Sequence, residues 1–214
     1  MRGLLWWRIA AWTLGLVPLA RLVWLGLNAG LGANPVEFVE HYLGDWSIRL
    51  LLVTLAMTPL REFTGLTQAV RIRRTLGLWT YAYVCLHFST YLVFDLEFSA
   101  AQLGEDLVKR AYITLGFTAW LFLSALAMTS TSGWQRRLKR NWKRLHRLIY
   151  AATLLGVIHY WWLVKADVRM PLVYLSIFIA LMLLRLPLRN WAKAILRSPK
   201  PSSPALDSPQ RPRA

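Results

Sequence analysis

The chain has 214 residues, of which 56% are hydrophobic and only 17% are charged, a composition too apolar for an ordinary soluble domain of this length. Its formal net charge of +16 would suit a nucleic-acid-binding protein, but the basic residues form short clusters between apolar runs rather than one polar face. The single cysteine, Cys85, excludes an intramolecular disulfide, a cysteine-based zinc site and an iron–sulfur cluster held by four thiolates. These features predict a membrane protein.

Six apolar segments predict the transmembrane helices of this protein. A helix needs about 20 apolar residues to cross a hydrocarbon core ~30 Å thick, and segments with a charge near one end can place that charge at the interface by snorkelling. The expected fold is an all-α bundle of about six transmembrane helices within residues 1–192, without an internal repeat. In chain order the segments are 4–27, 46–60, 75–94, 111–135, 148–164 and 170–184.

The charges between these segments predict the orientation of the protein. The connections 61–74 and 136–147 are strongly basic, whereas the alternate connections carry most of the acidic residues. Basic loops face the cytoplasm, so both termini are expected to be cytoplasmic in a bacterial inner membrane. The N-terminal segment has no convincing cleavage site and is interpreted as a retained helix. Residues 193–214 are rich in proline, serine and basic residues, which predicts a disordered cytoplasmic tail.

Two of the four histidines fall at matching depths in the predicted membrane. His87 lies about 12 residues, or ~18 Å, into the third span, and His159 lies about 14 residues, or ~21 Å, into the fifth. Because both spans enter from the cytoplasm, the two imidazoles could ligate one haem iron from opposite faces. The alternative is that each histidine is a hydrogen-bonded packing residue. His41 has acidic neighbours in a polar loop and is interpreted as solvated.

A second candidate site lies on the cytoplasmic side. His146 precedes His159 by 13 residues, or ~20 Å of helix, so one iron cannot use both rings. The equivalent step back from His87 reaches Arg74, with Arg73 beside it. Guanidinium groups bind phosphate bidentately, and a flavin nucleotide is one candidate ligand. Orientation and contact with anionic lipid also explain basic residues at this place.

Several motifs resemble one family, the haem-binding membrane subunits of the bacterial periplasmic methionine sulfoxide reductase system. They are RRTLGLW at 73–79 followed by Leu86-His87, LAMTSTS at 126–132, WKRLHRLIY at 142–150 and GVIHY at 156–160. The resemblance is strong over residues 61–165. It implies a ferric-reductase-like transmembrane domain, a b-type haem and flavin mononucleotide (FMN) on the cytoplasmic side. It also implies a soluble periplasmic molybdenum-containing partner that reduces methionine sulfoxide in proteins. Ferric-reductase-like domains commonly use two histidine pairs, and Arg74 in place of a fourth histidine favours flavin over a second haem.

The expected function is therefore transmembrane electron transfer. Electrons from a cytoplasmic flavin reductase or a quinol would reach a flavin near Arg73, Arg74 and His146, then haem on His87 and His159, and finally the periplasmic reductase. The sequence shows no nucleophile or general-acid set, so the substrate chemistry is expected on the partner chain. Two alternatives remain open: a stand-alone ferric or quinone reductase of the same fold, and a haem-free membrane scaffold or transporter.

Overall fold

The computed structural model describes residues 2–164 and 167–185, and all regular secondary structure in these two ranges is helical. The predicted tail at 193–214 lies outside the described residues. The helices are α1 (Arg2–Leu27), α2 (Pro35–Thr64), α3 (Thr67–Thr90), α4 (Ala100–Lys109), α5 (Ala111–Met128), α6 (Ser132–Leu138), α7 (Arg140–Leu145), α8 (Leu148–Leu163) and α9 (Arg169–Leu183). A π-helical turn, Tyr91–Asp95, continues α3.

Helix α2 begins well before the predicted span at 46–60. The Asn34 side chain accepts a hydrogen bond from the backbone of Glu37 at 3.4 Å, and Pro35 occupies the first turn, where its fixed φ and missing N–H favour helix initiation. The helix therefore includes three acidic residues that the sequence analysis assigned to a connection: Glu37, Glu40 and Asp45.

Helix α5 ends at Met128, earlier than the predicted span at 111–135. The hydroxyl of Thr129 donates to the Ala125 carbonyl at 2.6 Å, and the side chain of Thr131 accepts from the backbone N–H of Trp134 at 3.4 Å to cap α6. Hydroxyl side chains compete for backbone groups in this way and favour helix ends over helix interiors. The span predicted from the uncharged run at 111–135 was therefore too long.

The helices pack as two pairs with two flanking helices. Helix α2 packs mainly against α3, and α5 mainly against α8, while α1 lies on α3 and α9 contacts both α8 and α2. The Tyr83 hydroxyl, on α3, donates to the carbonyl of Gly15 on α1 at 2.7 Å. The main core lies between α2, α5, α8 and α9 and consists of Ile48, Leu51, Leu52, Leu55, Leu123, Leu126, Ile149, Ala152, Val157, Tyr174, Phe178 and Leu181.

Three helices in the described ranges are long and apolar enough to cross a membrane, judged by length and composition. They are α1 from Leu4 onwards, α2 and α5. Helix α3 carries arginines in its first turns, and α8 and α9 have only 16 and 15 residues, so the count of about six spans stays a prediction. Large aromatic side chains on α1 face outward, as expected for a lipid-facing helix: Trp6, Trp12 and Trp24.

Candidate cofactor site

His87 on α3 and His159 on α8 meet in the interior of the helix bundle. Their ring centroids are 6.3 Å apart, with the ring planes at 74°, and both side chains line the same cavity. The sequence placed the two rings at similar depths on different helices. The structure brings them to one site.

Each imidazole is held by a backbone carbonyl of a neighbouring helix. His87 Nδ1 lies 3.1 Å from the carbonyl oxygen of Glu40 on α2, and His159 Nδ1 lies 2.7 Å from that of Tyr112 on α5. A carbonyl oxygen can only accept, so Nδ1 carries the proton in both rings and Nε2 keeps its lone pair. Metal-binding histidines typically have their other nitrogen fixed in this way.

A glycine lies against each imidazole, one helical turn beyond the residue whose carbonyl the ring contacts. A Cβ atom added to Gly116 would lie 2.8 Å from His159 Nδ1, and one added to Gly44 would lie 3.4 Å from His87 Cε1. Residues four apart share one face of a helix, so the carbonyl and the glycine together form a shallow seat for the ring. The sequence analysis did not identify either glycine.

The two seats are related by an internal pseudo-symmetry that the sequence does not reveal. In both halves the carbonyl precedes its histidine by 47 residues, and in both a glycine follows that carbonyl by one turn. The expectation of no internal repeat was therefore wrong for the backbone arrangement of this site. The equivalent positions are 72 residues apart: Glu40 and Tyr112, Gly44 and Gly116, His87 and His159.

The distance between the rings fits two ligands of one metal ion. Imidazole nitrogens bind first-row metals at ~2.0–2.1 Å and lie ~1.1 Å from their ring centre, so ligands on opposite sides of an ion have centroids about 6.3 Å apart. Within the described ranges, no group of three or more His, Cys, Asp or Glu side chains could hold a metal ion. Two imidazoles alone would leave such an ion with open coordination positions. The cavity has a volume of about 300 Å³.

The walls of the cavity differ in chemistry. One side carries the carboxylate of Asp45 and the hydroxyl of Tyr160, which reach each other. The other carries Phe88, Phe117 and Trp120, whose ring centroids are 4.7–5.7 Å apart. The buried indole N–H of Trp120 has no hydrogen-bond partner among the described residues, as expected of a donor that meets a bound ligand. The cavity thus fits a large, mainly apolar cofactor with polar substituents.

Polar residues surround the mouth of the cavity. Arg110 pairs with Asp106 at 3.2 Å, and the Asp106 carboxylate is the main cause that raises the pKa of Arg110. Asp95 and His41 also line this end. His41 is exposed, as the sequence predicted, but it belongs to α2 rather than to a loop.

The residues predicted for the cytoplasmic site lie at the other end of α8 and α3. His146 immediately precedes α8, stacks on Trp142 at 3.9 Å and contacts the Trp142 carbonyl through Nδ1 at 3.1 Å. Burial, followed by the positive charge of Arg73, lowers the pKa of His146, so at neutral pH the arginines supply the positive charge here. Arg73 also bonds to Thr58 at 3.3 Å, and Arg74 is exposed.

Comparison with known proteins identifies the family. Residues 43–157 match the model of the ferric reductase like transmembrane component, a range that contains His87 and both glycines of the seats. The chain is 47% identical over 213 residues to the protein-methionine-sulfoxide reductase heme-binding subunit MsrQ of Xanthomonas euvesicatoria, covering 92% of this chain and 96% of that protein. The chain belongs to the MsrQ family of ferric reductase-like membrane proteins.

Two further MsrQ proteins support the same membership. The subunit of Xanthomonas campestris strain B100 is 53% identical over 174 residues, which cover 78% of this chain and 79% of that protein. The subunit of Caulobacter vibrioides is 49% identical over 175 residues, which cover 81% and 83%. The resemblance inferred from the sequence motifs is thus confirmed, together with the ferric-reductase-like helical fold.

Proposed function

We propose that this chain is the membrane electron-transfer subunit of a methionine sulfoxide reductase system and that His87 and His159 hold its b-type haem. The observation that carries this proposal is the pair of imidazoles 6.3 Å apart, each with Nδ1 fixed by a backbone carbonyl. The relatives in the MsrQ family are named heme-binding subunits, and the site in this chain has the ligands and the space for that group.

A bound haem supplies a one-electron carrier within the bilayer. The chain itself keeps both rings in one tautomer through the carbonyls of Glu40 and Tyr112, which leaves both Nε2 atoms free to bind a metal. The aromatic residues around Trp120 exclude water from one side of the cavity. In this proposal the chain only conducts electrons, and the reduction of methionine sulfoxide takes place on another chain.

The charges at the two ends of the bundle support the proposed orientation. The His pair lies near the start of α5 and the end of α8, in a cavity whose lining includes Asp95 and Arg110, the partner of Asp106. The opposite end of these helices joins α6 and α7, which contain four arginines, one lysine and no acidic residue. Under the positive-inside rule, haem lies near the periplasm of the bacterial inner membrane and both termini lie in the cytoplasm. The resemblance to the family then makes a soluble periplasmic molybdenum-containing reductase the proposed acceptor.

The proposed function is tested by haem analysis and reoxidation of the purified protein. After expression with sufficient haem, we expect a Soret band and one b-type haem per chain. Chemically reduced haem should reoxidise with methionine sulfoxide only when the periplasmic reductase is added. Absence of haem would refute the electron-transfer proposal and favour a scaffold or transporter. Reoxidation by ferric ions or a quinone at an equal rate without the partner would instead favour a stand-alone reductase.

We further propose that FMN binds at the cytoplasmic end, beside Arg73, Arg74 and His146. Arg74 is exposed and can direct its guanidinium to a phosphate, while the charge of Arg73 acts on the half-buried ring of His146. Electrons would enter from a flavin reductase or a quinol on this side. The stacked pair of His146 and Trp142 would form an aromatic floor for the site.

Replacing Arg74 with glutamine should weaken FMN retention about tenfold, because a bidentate charged hydrogen bond contributes roughly 1.5–3 kcal/mol. His146→Ala should also lower retention by removing the ring beneath Trp142. Flavin fluorescence after protein denaturation measures the amount bound per chain. Arg140→Gln, an exposed basic residue at the start of α7, is the matched control and should retain flavin. Equal flavin content in all variants would contradict this site.

A further inference from the structure

Two pairs of equivalent positions in the cavity lining differ in chemistry between the halves, and one of these differences introduces charge. The residue after each seat glycine is Asp45 in one half and Phe117 in the other, and the residue after each histidine is Tyr160 or Phe88. Asp45 reaches Tyr160 across the cavity wall, while Phe117 and Phe88 pack together at 5.7 Å. The equivalent backbone positions thus carry a polar pair, Asp45 and Tyr160, on one wall and an apolar pair, Phe117 and Phe88, on the other.

The polar pair belongs to a hydrogen-bonded chain that runs away from the cavity. Arg49 Nη2 lies 2.8 Å from Asp45 Oδ2, and Arg49 Nε donates to the Tyr174 hydroxyl on α9 at 2.9 Å. Asp45 lines the cavity, whereas Arg49 does not. The ion pair therefore places its negative end in the lining of the cavity that the two imidazoles share, and its positive end outside that lining.

Stability gives a poor account of this arrangement. Desolvation offsets much of the attraction in a partly buried ion pair, and well-packed apolar residues often replace such pairs at no cost. On the other wall, Phe117 and Phe88 occupy the positions equivalent to Asp45 and Tyr160, so this fold accommodates phenylalanine there. Ionisable side chains at membrane depth usually serve function, and this pair stands beside the proposed ligands.

We propose that Asp45 and Arg49 set the reduction potential of the haem held by His87 and His159. The inference rests on the proposed function, because it concerns a haem at that site. Reduction of ferric to ferrous haem adds one electron and removes one positive charge from the iron. A carboxylate facing the cavity stabilises the oxidised state, and the guanidinium behind it partly cancels that effect. Both effects are amplified where the surroundings exclude water.

The two charges therefore make opposite predictions. Asp45→Asn keeps a side chain of the same shape that can still meet Tyr160, removes the negative charge and should raise the midpoint potential. Arg49→Gln leaves the carboxylate unbalanced and should lower it. We expect each change to shift the ratio of reduced to oxidised haem about tenfold at a fixed ambient potential, which is ~59 mV for one electron. The double variant should lie near the wild-type protein.

The experiment is a spectroscopic redox titration of the full-length haem-loaded protein in detergent. Glu105→Gln is the matched control, since Glu105 also pairs with a basic residue four positions away, Lys109, but both are exposed and neither lines the cavity. Its potential should match the wild-type value. If Asp45 and Arg49 served only to connect α2 to Tyr174 on α9, the two variants would lose haem or protein stability. Their midpoint potentials would then not shift in opposite directions.

Each outcome decides between the inference and the proposed function. Opposite shifts support the inference, and equal or absent shifts with an intact haem spectrum overturn it alone. If Asp45→Asn loses haem, the Arg49→Gln variant decides: a lower potential supports the inference, and an unchanged or higher one overturns it. A wild-type protein that binds no haem overturns the proposed function and this inference together.

Discussion

Replacing His87 or His159 with alanine is expected to abolish low-spin haem in the purified protein. The two ring centroids are 6.3 Å apart, and in the proposed site each imidazole would supply one nitrogen to the haem iron, so that neither could replace the other. The loss of affinity should exceed the ~10–100-fold that follows removal of an outer hydrogen-bond partner of a metal ligand. Absorbance spectra of the oxidised and reduced protein, with haem counted per chain, measure this loss.

The control for the ligand pair is His41→Ala. This histidine is exposed at the mouth of the same cavity, and its removal should leave the low-spin spectrum intact. The double variant His87→Ala, His159→Ala is the strictest test, because no axial imidazole remains at the site. An unchanged low-spin spectrum in that variant would refute the assignment.

Alanine at position 116 should impair haem binding much more than alanine at position 44. The added Cβ would lie 2.8 Å from His159 Nδ1 at Gly116, but 3.4 Å from His87 Cε1 at Gly44. The first contact is too close, so the His159 ring must move and lose its hydrogen bond to the Tyr112 carbonyl. We expect at least about a tenfold loss of haem affinity for Gly116→Ala, as for other losses of a ligand's hydrogen-bond partner, and a small effect for Gly44→Ala.

Helix propensity separates the steric effect from a general loss of folding. Alanine is favoured over glycine in a helix interior by roughly 0.5–1 kcal/mol, so both variants should form α2 and α5 at least as well as the wild-type protein. Circular dichroism of the two variants should therefore be the same, while their haem titrations differ. Equal haem affinity of both variants would contradict the close contact at Gly116.

The positions of the two histidines could be predicted from the sequence because the rise of a helix is fixed. Counting residues from the cytoplasmic ends of two spans gave nearly equal depths, and the structure brings His87 and His159 together. The motifs around these residues also predicted the ferric-reductase-like fold. Both predictions depend only on which side chains occur at which positions, and the sequence contains that information.

The rest of the seat could not be predicted in the same way. The groups that orient the rings are backbone carbonyls, and the residues that carry them, Glu40 and Tyr112, have unrelated side chains. A repeat made of backbone positions leaves little trace in the sequence beyond Gly44 and Gly116. The ends of α2 and α5 were misplaced for a different reason. Apolar runs outweighed the local capping signals at Asn34 and in the Thr-Ser-rich segment that follows Met128.

The two related halves also affect the order in which the protein is assembled. During synthesis, α2 and α3 leave the ribosome before α5 and α8 and already contain one imidazole with its carbonyl. Helices α5 and α8 emerge later with the second set. The first half can therefore enter the bilayer in its final form, yet it cannot close around an iron by itself. If His87 and His159 hold the haem as proposed, its capture must wait for translation of His159 and would come late in biogenesis.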